Sequence, residues 1–490
     1  MFVPSAYQQQ IFDFIEHDVG NGFIRAAAGS GKTTTIIQAL NYVPPHLSTL
    51  FLAFNKSIAD SLAERLPAHT TAMTVHKLGL TQVQHAFPHA TIEQYKYSGI
   101  VEALVRKVHQ PRFKVSKYYL RNLILDYVHF AQVTLTDPRN EDMIEELALR
   151  YGLSTQFRTR MSEWVTEVLN RGYEDAVVKG SIAFNDMLWL PNVVPMVCPQ
   201  YDLVLVDEAQ DLSRAQREVV LRAVKPTGRV IFCADPAQAI YGFSGADTDS
   251  VQALRELPMM TELPLSICYR CPTSHLALAQ ELVPDIEAAP DAVEGHVEHI
   301  QVASVPQLVR PYDLVLSRTN APLYQTYLDL MTAGIPAQIQ GKDVLREFGS
   351  LLSFAETFMS KHKATLAEAC KAYIESREAE LRAYEDAELQ LEMVRDQAEV
   401  VAAMAERKGL TTAAQVTVLL KEMAADKQGA VLLSSIHRAK GLEAERVFLL
   451  FPDMLPHPKA TQDWAKVQEF NLKYVALTRA KQDLFFVWRD

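Results

Sequence analysis

Ala26-Ala27-Ala28-Gly29-Ser30-Gly31-Lys32-Thr33 follows the short apolar run Gly22–Ala26 and opens a segment of helical pattern. Its small residues let backbone N–H groups close around phosphate oxygens at a helix N-terminus, where the helix dipole also favours anions. In that geometry Lys32 reaches the β- and γ-phosphates and the Thr33 hydroxyl ligates Mg²⁺. Ala28, Gly29, Ser30, Gly31 and Thr34 complete the expected nucleotide-binding set. The stretch departs from G-x-x-x-x-G-K-[ST] only in Ala26, a small residue at the first glycine position. A phosphate loop between a strand and a helix implies an α/β sheet, and a nucleotide with Mg²⁺ as its ligands.

The next chemical element is the run Leu203–Val206, which ends in Asp207-Glu208-Ala209-Gln210-Asp211. The metal needs a carboxylate at the C-terminal end of a strand beside the loop, so Asp207 joins Thr33 as an expected metal residue. Glu208 can orient and deprotonate an attacking water, which hydrolysis requires and a plain nucleotide carrier does not. An acidic turn after a strand is commonplace alone; the phosphate loop upstream gives it meaning.

Outward from these elements, short apolar runs recur at Thr49–Phe54, Arg229–Ala234, Leu314–Ser317, Arg446–Phe451 and Leu484–Trp488. Most precede a polar turn and a helical pattern, the alternation of doubly wound parallel sheets. They fall into two groups divided near Glu262–Leu265, each interrupted by a long helical stretch. The expected organisation is a first core over 1–77 and 181–262 with a helical, DNA-facing insertion at 78–180. A second core is expected over 263–345 and 430–490, with a small helical insertion at 346–429. In that insertion Ile374, Leu381, Tyr384, Leu391, Val394, Ala398, Val401 and Met404 form one stripe of a long amphipathic helix. Gly409 is placed to end it, and Thr411 or Thr412 to cap the next helix.

With 490 residues, 48% hydrophobic and 22% charged, the chain can bury several cores, which excludes disordered, collagen-like and disulfide-stapled classes. No run approaches the ~18 apolar residues of a spanning helix. The start MFVPSAYQQQIFDF lacks the basic and apolar regions of an export signal. Five scattered cysteines fit free thiols in a reducing compartment. A cytoplasmic or nucleoid-associated protein with no membrane partner is expected.

The net charge of −11 does not exclude a nucleic acid, because its distribution is uneven. Glu375–Glu399 holds nine acids against three arginines, a local −6. Conversely, Arg106, Lys107, Arg112, Lys114, Lys117 and Arg121 face the single acid Glu102 and interleave with Phe113, Tyr118 and Tyr119. Cations beside aromatic faces suit a single strand, though a solvated helix face reads equally well.

Seven further elements appear in a fixed order: Tyr7-Gln8-Gln9-Gln10-Ile11-Phe12; Ala53-Phe54-Asn55-Lys56; Thr74-Val75-His76; the stretch from Asp235 to Ala246, DPAQAIYGFSGA; Tyr269-Arg270; the stretch from Ser435 to Glu443, SIHRAKGLE; and Tyr474–Ala480, YVALTRA. With DEAQD, they resemble superfamily 1A helicases of the UvrD/Rep/PcrA type, nearest the small phage and F-box-helicase-like branch. The resemblance implies two RecA-like domains, each with a helical insertion, and ATP as the nucleotide of a DNA-dependent ATPase moving 3′ to 5′. It assigns Gln8 (or, in the other register, Gln9) to adenine, Tyr269 to adenine stacking and Glu443 to the ribose. Gln238 would contact the γ-phosphate, and Arg270 and Arg479 would act as arginine fingers. Phe54, Thr74, His76, Tyr241, Phe243 and His437 would contact DNA.

Phe243 replaces the family's tryptophan, Ser244 replaces a common arginine, and the Phe54 element is one residue short. Phe184-Asn185-Asp186-Met187-Leu188-Trp189 resembles a DNA-proximal segment of some relatives but is read as structural. The expected partners are single-stranded and partly duplex DNA and proteins of replication, repair or recombination, with the chain a monomer. Two other readings stay open. One is a translocase that strips proteins or remodels recombination intermediates with little unwinding; the other is an ATP-gated DNA-binding switch.

Overall fold

The structure is a computed structural model and describes residues 3–53, 55–63, 66–110, 113, 115–242, 250–341, 344–381, 387–458, 460 and 462–489. The chain divides into two units, 1–268 and 269–490, each built on its own six-stranded parallel sheet in the RecA-like manner.

In the first unit the strands are β1 Asn21–Ala26, β2 Thr49–Ala53, β3 Thr70–Thr74, β4 Tyr201–Val206, β5 Val224–Ala234 and β6 Met260–Leu265. Their order across the sheet is β3-β2-β4-β5-β1-β6. Side chains alternate between the two faces. Leu203 and Leu205 join the core under helices Ala6–His17 and Lys32–Ala39. Val204 and Val206 join the core under helices Val75–Ala86 and Arg214–Arg222. Burial on both faces makes the central strands continuous apolar runs, which is why they stand out in the sequence.

The edge strands do not stand out. β3 is TTAMT, only partly buried, and β6 contains Pro264, which an edge position tolerates because one row of ladder donors is unused there. Pairing of β6 with β1, from Asn21 opposite Met260 to Ala26 opposite Leu265, carries the first sheet past the expected boundary between residues 262 and 263.

The insertion holds helices Lys96–Val108, Lys117–Thr134, Glu141–Tyr151 and Arg158–Lys179. The short parallel pair Thr91–Ile92 with Ser181–Ile182 closes its base. The basic-aromatic patch divides between exposed ion pairs and buried rings. Arg106 pairs with Glu102, and Lys107 with Glu167 at 3.3 Å. Phe113 is buried against Phe157 and Trp164. Lys117 and Tyr118 stay exposed, while Arg112 and Lys114 lie outside the described residues.

The second unit's strands are β7 His296–Gln301, β8 Leu314–Ser317, β9 Ala337–Ile339, β10 Val431–Ser435, β11 Ala444–Leu450 and β12 Ala480–Trp488. They are ordered β7-β12-β11-β8-β10-β9. The expected single long helix is instead two, Leu366–Leu381 and Ala387–Lys408, packed on each other. Arg395 Nη2 donates to Glu378 Oε1 at 2.8 Å, whereas one straight helix would separate these residues by ~25 Å. The two halves of the stripe therefore face each other; Tyr384 lies outside the described residues. Gly409 has φ +62°, and Thr412 caps helix Ala413–Ala424 in a capping box with Gln415. Among the described residues no helix is long and apolar enough to cross a membrane.

Candidate functional site

Three adjacent strands, β4, β5 and β1, end at the same edge of the first sheet. They deliver Asp207-Glu208, Asp235 and the phosphate loop, respectively. Gly29 and Gly31 adopt φ of +67° and +75°, a conformation glycine takes without steric cost. Helix Lys32–Ala39 begins at Gly31 with no side-chain cap, so its first N–H groups remain for an anion. The Ser30 hydroxyl is buried with no protein partner. A β-carbon at Gly31 would meet nothing within 4 Å. An orphaned donor, free amides and open space together fit a phosphate group. Ala28 lines the base of the loop, buried, and Thr34 is exposed on the helix.

The charges fit a metal-nucleotide. Lys32 Nζ lies 3.9 Å from Glu208 Oε1 and 3.9 Å from Asp235 Oδ2, longer than hydrogen bonds. Burial alone would push this ammonium down, but the summed negative charge around it, Glu208 first and then Asp235, with Cys233 and Asp207, holds its pKa above the ordinary value. Thr33 Oγ1 donates to Asp207 Oδ2 at 3.0 Å. Burial and the charge of Glu208 push the Asp207 carboxyl up to about 6, against the opposing pull of Lys32 and Thr33. A carboxylate held in so unfavourable an environment, beside a hydroxyl, is suited to a divalent cation; Asp207 and Thr33 would hold Mg²⁺ here.

A hydrogen-bonded chain continues from this point. Glu208 sits at φ +52°, a strained conformation for a side-chain-bearing residue. The Gln210 amide donates to Glu208 Oε2, and its oxygen accepts from the Asp235 backbone N–H at 3.1 Å. Asp235 Oδ2 then accepts from Gln238 Nε2 at 2.6 Å. Gln238 is thus linked to Lys32 through a single carboxylate. Gln210 and Asp235 stand within the quoted motifs with no role expected of either. Their signal was being polar at strand ends beside an acidic pair.

Gln8 and Gln9 are told apart. Gln9 is exposed and bonds Asp13. Gln8 is buried, forms a capping box with Ser5, and donates to Thr35 Oγ1 at 3.0 Å. Thr35 in turn donates to the Gly31 carbonyl at 2.9 Å. Gln8 therefore braces the phosphate loop, with one amide hydrogen and one lone pair left for a base.

Of the residues expected to meet DNA in the first unit, Thr74 and His76 lie at the start of helix Val75–Ala86. Thr74 is its N-cap, accepting from the Lys77 N–H at 3.2 Å. The His76 ring stacks on Phe184 with centroids 4.0 Å apart. Burial pushes His76 down to about 4, so the ring is neutral at physiological pH. Of the segment Phe184–Trp189, read as structural, Asp186, Met187, Leu188 and Trp189 are buried, while Phe184 is 57% exposed, a large aromatic face turned to solvent. Its turn is anchored by Asp186, wholly buried, which accepts from Lys96 Nζ and Tyr97 Oη at 2.6 Å each, from Gln132 Nε2 at 2.9 Å and from the Ala183 N–H at 2.8 Å. Tyr241 is half-buried, its phenol pushed up to about 12 by burial and nearby acids. Phe54 and Phe243 lie outside the described residues.

In the second unit, Tyr269 is half exposed. Beside it Arg270 Nε donates to Glu443 Oε2 at 2.7 Å, and Arg270 Nη1 to the Thr478 carbonyl at 3.3 Å. Burial pushes the Glu443 carboxyl up, but Lys481 and Arg270 outweigh it and hold its pKa below the ordinary value. Arg479 is 1% exposed. Its guanidinium donates to the carbonyls of Val475 and Leu442 and to Thr478 Oγ1. His437 is half-buried and held at about 4 by burial and then by the Arg318 charge.

Comparison with known proteins agrees with this geometry. The UvrD/REP helicase N-terminal domain matches residues 7–258, and the UvrD-like helicase C-terminal domain matches 430–487. F-box DNA helicase protein 1 of Schizosaccharomyces pombe is 24% identical over 94% of this chain and 55% of its own length. F-box DNA helicase 1 of Gallus gallus is 24% identical over 97% of this chain and 48% of its own. DNA helicase II of Salmonella typhimurium is 31% identical over 20% of this chain and 14% of its own. The chain thus spans about half the length of the F-box relatives it matches. With a phosphate loop, a paired carboxylate turn and both family domains in order, this chain belongs to the UvrD/REP helicase family.

Proposed function

We propose that this chain is an ATP-driven motor that moves 3′ to 5′ along single-stranded DNA and separates duplex ahead of it. The observation that carries the reading is the row of Lys32, Asp207, Glu208 and Asp235 at one sheet edge, a set fit for hydrolysis and not only for binding. In this reading the loop amides, Ser30 and Lys32 hold the triphosphate. Thr33 and Asp207 would hold Mg²⁺, which would supply charge neutralisation at the phosphate oxygens. Glu208 orients and deprotonates the attacking water. Gln238 reports the γ-phosphate through Asp235, and the second unit contributes Arg270 and, after leaving its present bonds, Arg479. Tyr269, Gln8 and Glu443 take the adenine and ribose. Thr74, His76, Tyr241 and His437 face the strand, together with Phe54 and Phe243. Phe184 joins them, because its exposed ring on His76 offers a stacking surface.

Two outcomes check this reading. Strand displacement from a partial duplex is expected with a 3′ single-stranded tail and not with a 5′ tail. Displacement from the 5′ tail alone would reverse the polarity. ATP hydrolysis with no displacement from either tail would favour the protein-stripping translocase. Phe184→Ala is expected to weaken binding to oligo-dT by ~1–3 kcal/mol, the typical cost of losing one stacked base. ATP hydrolysis without DNA should be unchanged. Unaltered affinity in a fluorescence-anisotropy titration would remove Phe184 from the DNA path.

A further inference from the structure

In the second unit one carboxylate serves two cations. Glu443 Oε2 accepts from Arg270 Nε at 2.7 Å, and Glu443 Oε1 lies 2.6 Å from Lys481 Nζ. Side-chain reach explains the meeting: Ala444 on β11 pairs in parallel with Ala480 on β12, so Glu443 and Lys481 flank that pair on opposite sides and their long side chains close the gap. The three side chains are only partly exposed, at 18% for Arg270, 39% for Glu443 and 36% for Lys481. Nothing above gives Lys481 a role.

Such a cluster is asymmetric in what it costs to open. A guanidinium that leaves a carboxylate with no other partner strands an unbalanced charge in a half-desolvated place; one that leaves an ammonium behind on that carboxylate does not. We propose that Lys481 is a positioning residue for ATP hydrolysis, keeping Glu443 neutralised so that Arg270 can leave it for the triphosphate. The proposal rests on the reading of Arg270 as an arginine finger. With Lys481 in place, Glu443 divides its attraction between two cations and Arg270 departs from a balanced pair. Without Lys481, Arg270 and Glu443 become an exclusive pair that competes with the triphosphate.

The test is steady-state ATP hydrolysis by the full chain at saturating oligo-dT. Lys481→Met is expected to lower kcat about 3- to 5-fold, the range of a partly exposed ion pair, with KM for ATP little changed. Lys481→Arg should keep kcat. Adding Glu443→Gln to Lys481→Met removes the competing carboxylate. It should restore kcat most of the way even though KM rises from the lost ribose contact. A merely structural Lys481 would show additive losses instead, and that outcome overturns the proposal, as does an unchanged kcat in Lys481→Met. Arg270→Ala separates the two levels. If it leaves kcat intact, the finger reading fails and takes the proposal with it. If it collapses kcat while Lys481→Met does not lower it, the proposal alone fails.

Discussion

Replacing Glu208 with glutamine is expected to slow ATP hydrolysis by ~10²–10⁴, about 3–5 kcal/mol of barrier, while ATP still binds. Glutamine keeps the size of the side chain, and its amide oxygen can still accept the Gln210 bond. What disappears is the acceptor for a proton from water. Lys32 also loses one of its two carboxylate neighbours, Asp235 remaining, so affinity for the triphosphate should hold or rise. The measurement is kcat beside the affinity for a fluorescent ATP analogue. A drop in affinity with kcat preserved would make Glu208 a binding residue and leave hydrolysis without its base. The strained backbone at Glu208 sharpens the test. Glu208→Gly should relieve the φ +52° strain, yet it should be as inactive as glutamine, since the lost function is chemical.

The second large effect concerns stability. Asp186→Ala is expected to destabilise the first unit by ~3–5 kcal/mol. Asp186 is the acceptor for four donors, and the mutation leaves the Lys96 ammonium, 4% exposed, without its counter-ion. The double replacement Lys96→Met with Asp186→Leu should lose much less, because it removes both charges together. Urea unfolding followed through the tryptophans, two of which (Trp164 and Trp189) lie in this region, reads the shift in midpoint. Equal losses in the single and double variants would mean that the pair stabilises through shape alone. The same network holds the turn carrying Phe184, so Asp186→Ala should also weaken oligo-dT binding.

The legible parts of this molecule were those where one stretch of chain carries its own physics. A phosphate loop needs small residues, a lysine and a hydroxyl in sequence, and the buried central strands need unbroken apolar runs. Lys32, Thr33, Asp207 and Glu208 could therefore be read directly and meet at one edge. Relations between distant stretches were not legible. β3, β6, β7 and β9 are edge strands whose short, polar or proline-bearing sequences resemble loops, and the central strand β10 was also missed, its apolar run Val431-Leu432-Leu433 being only three residues long before two serines. The helical stripe of 374–404 was read as one helix because its spacing survives a reversal of chain direction. Phe113 and Phe184 exchanged expected roles, one buried and one exposed, because an aromatic residue does not announce which way it faces. Arg270 is legible in its motif, but the Glu443 carboxylate that binds both Arg270 and Lys481 joins three separate stretches of chain, which no single motif contains.

In the proposed motor, hydrolysis at the Lys32 site drives movement along single-stranded DNA. Its most direct test is steady-state ATP hydrolysis against oligo-dT of increasing length, with Lys32→Ala as the control. The account predicts strong stimulation that grows with length and then reaches a plateau, and no stimulated turnover in Lys32→Ala. Stimulation that is absent, or the same at every length, would contradict it and leave an ATP-gated DNA-binding switch in its place.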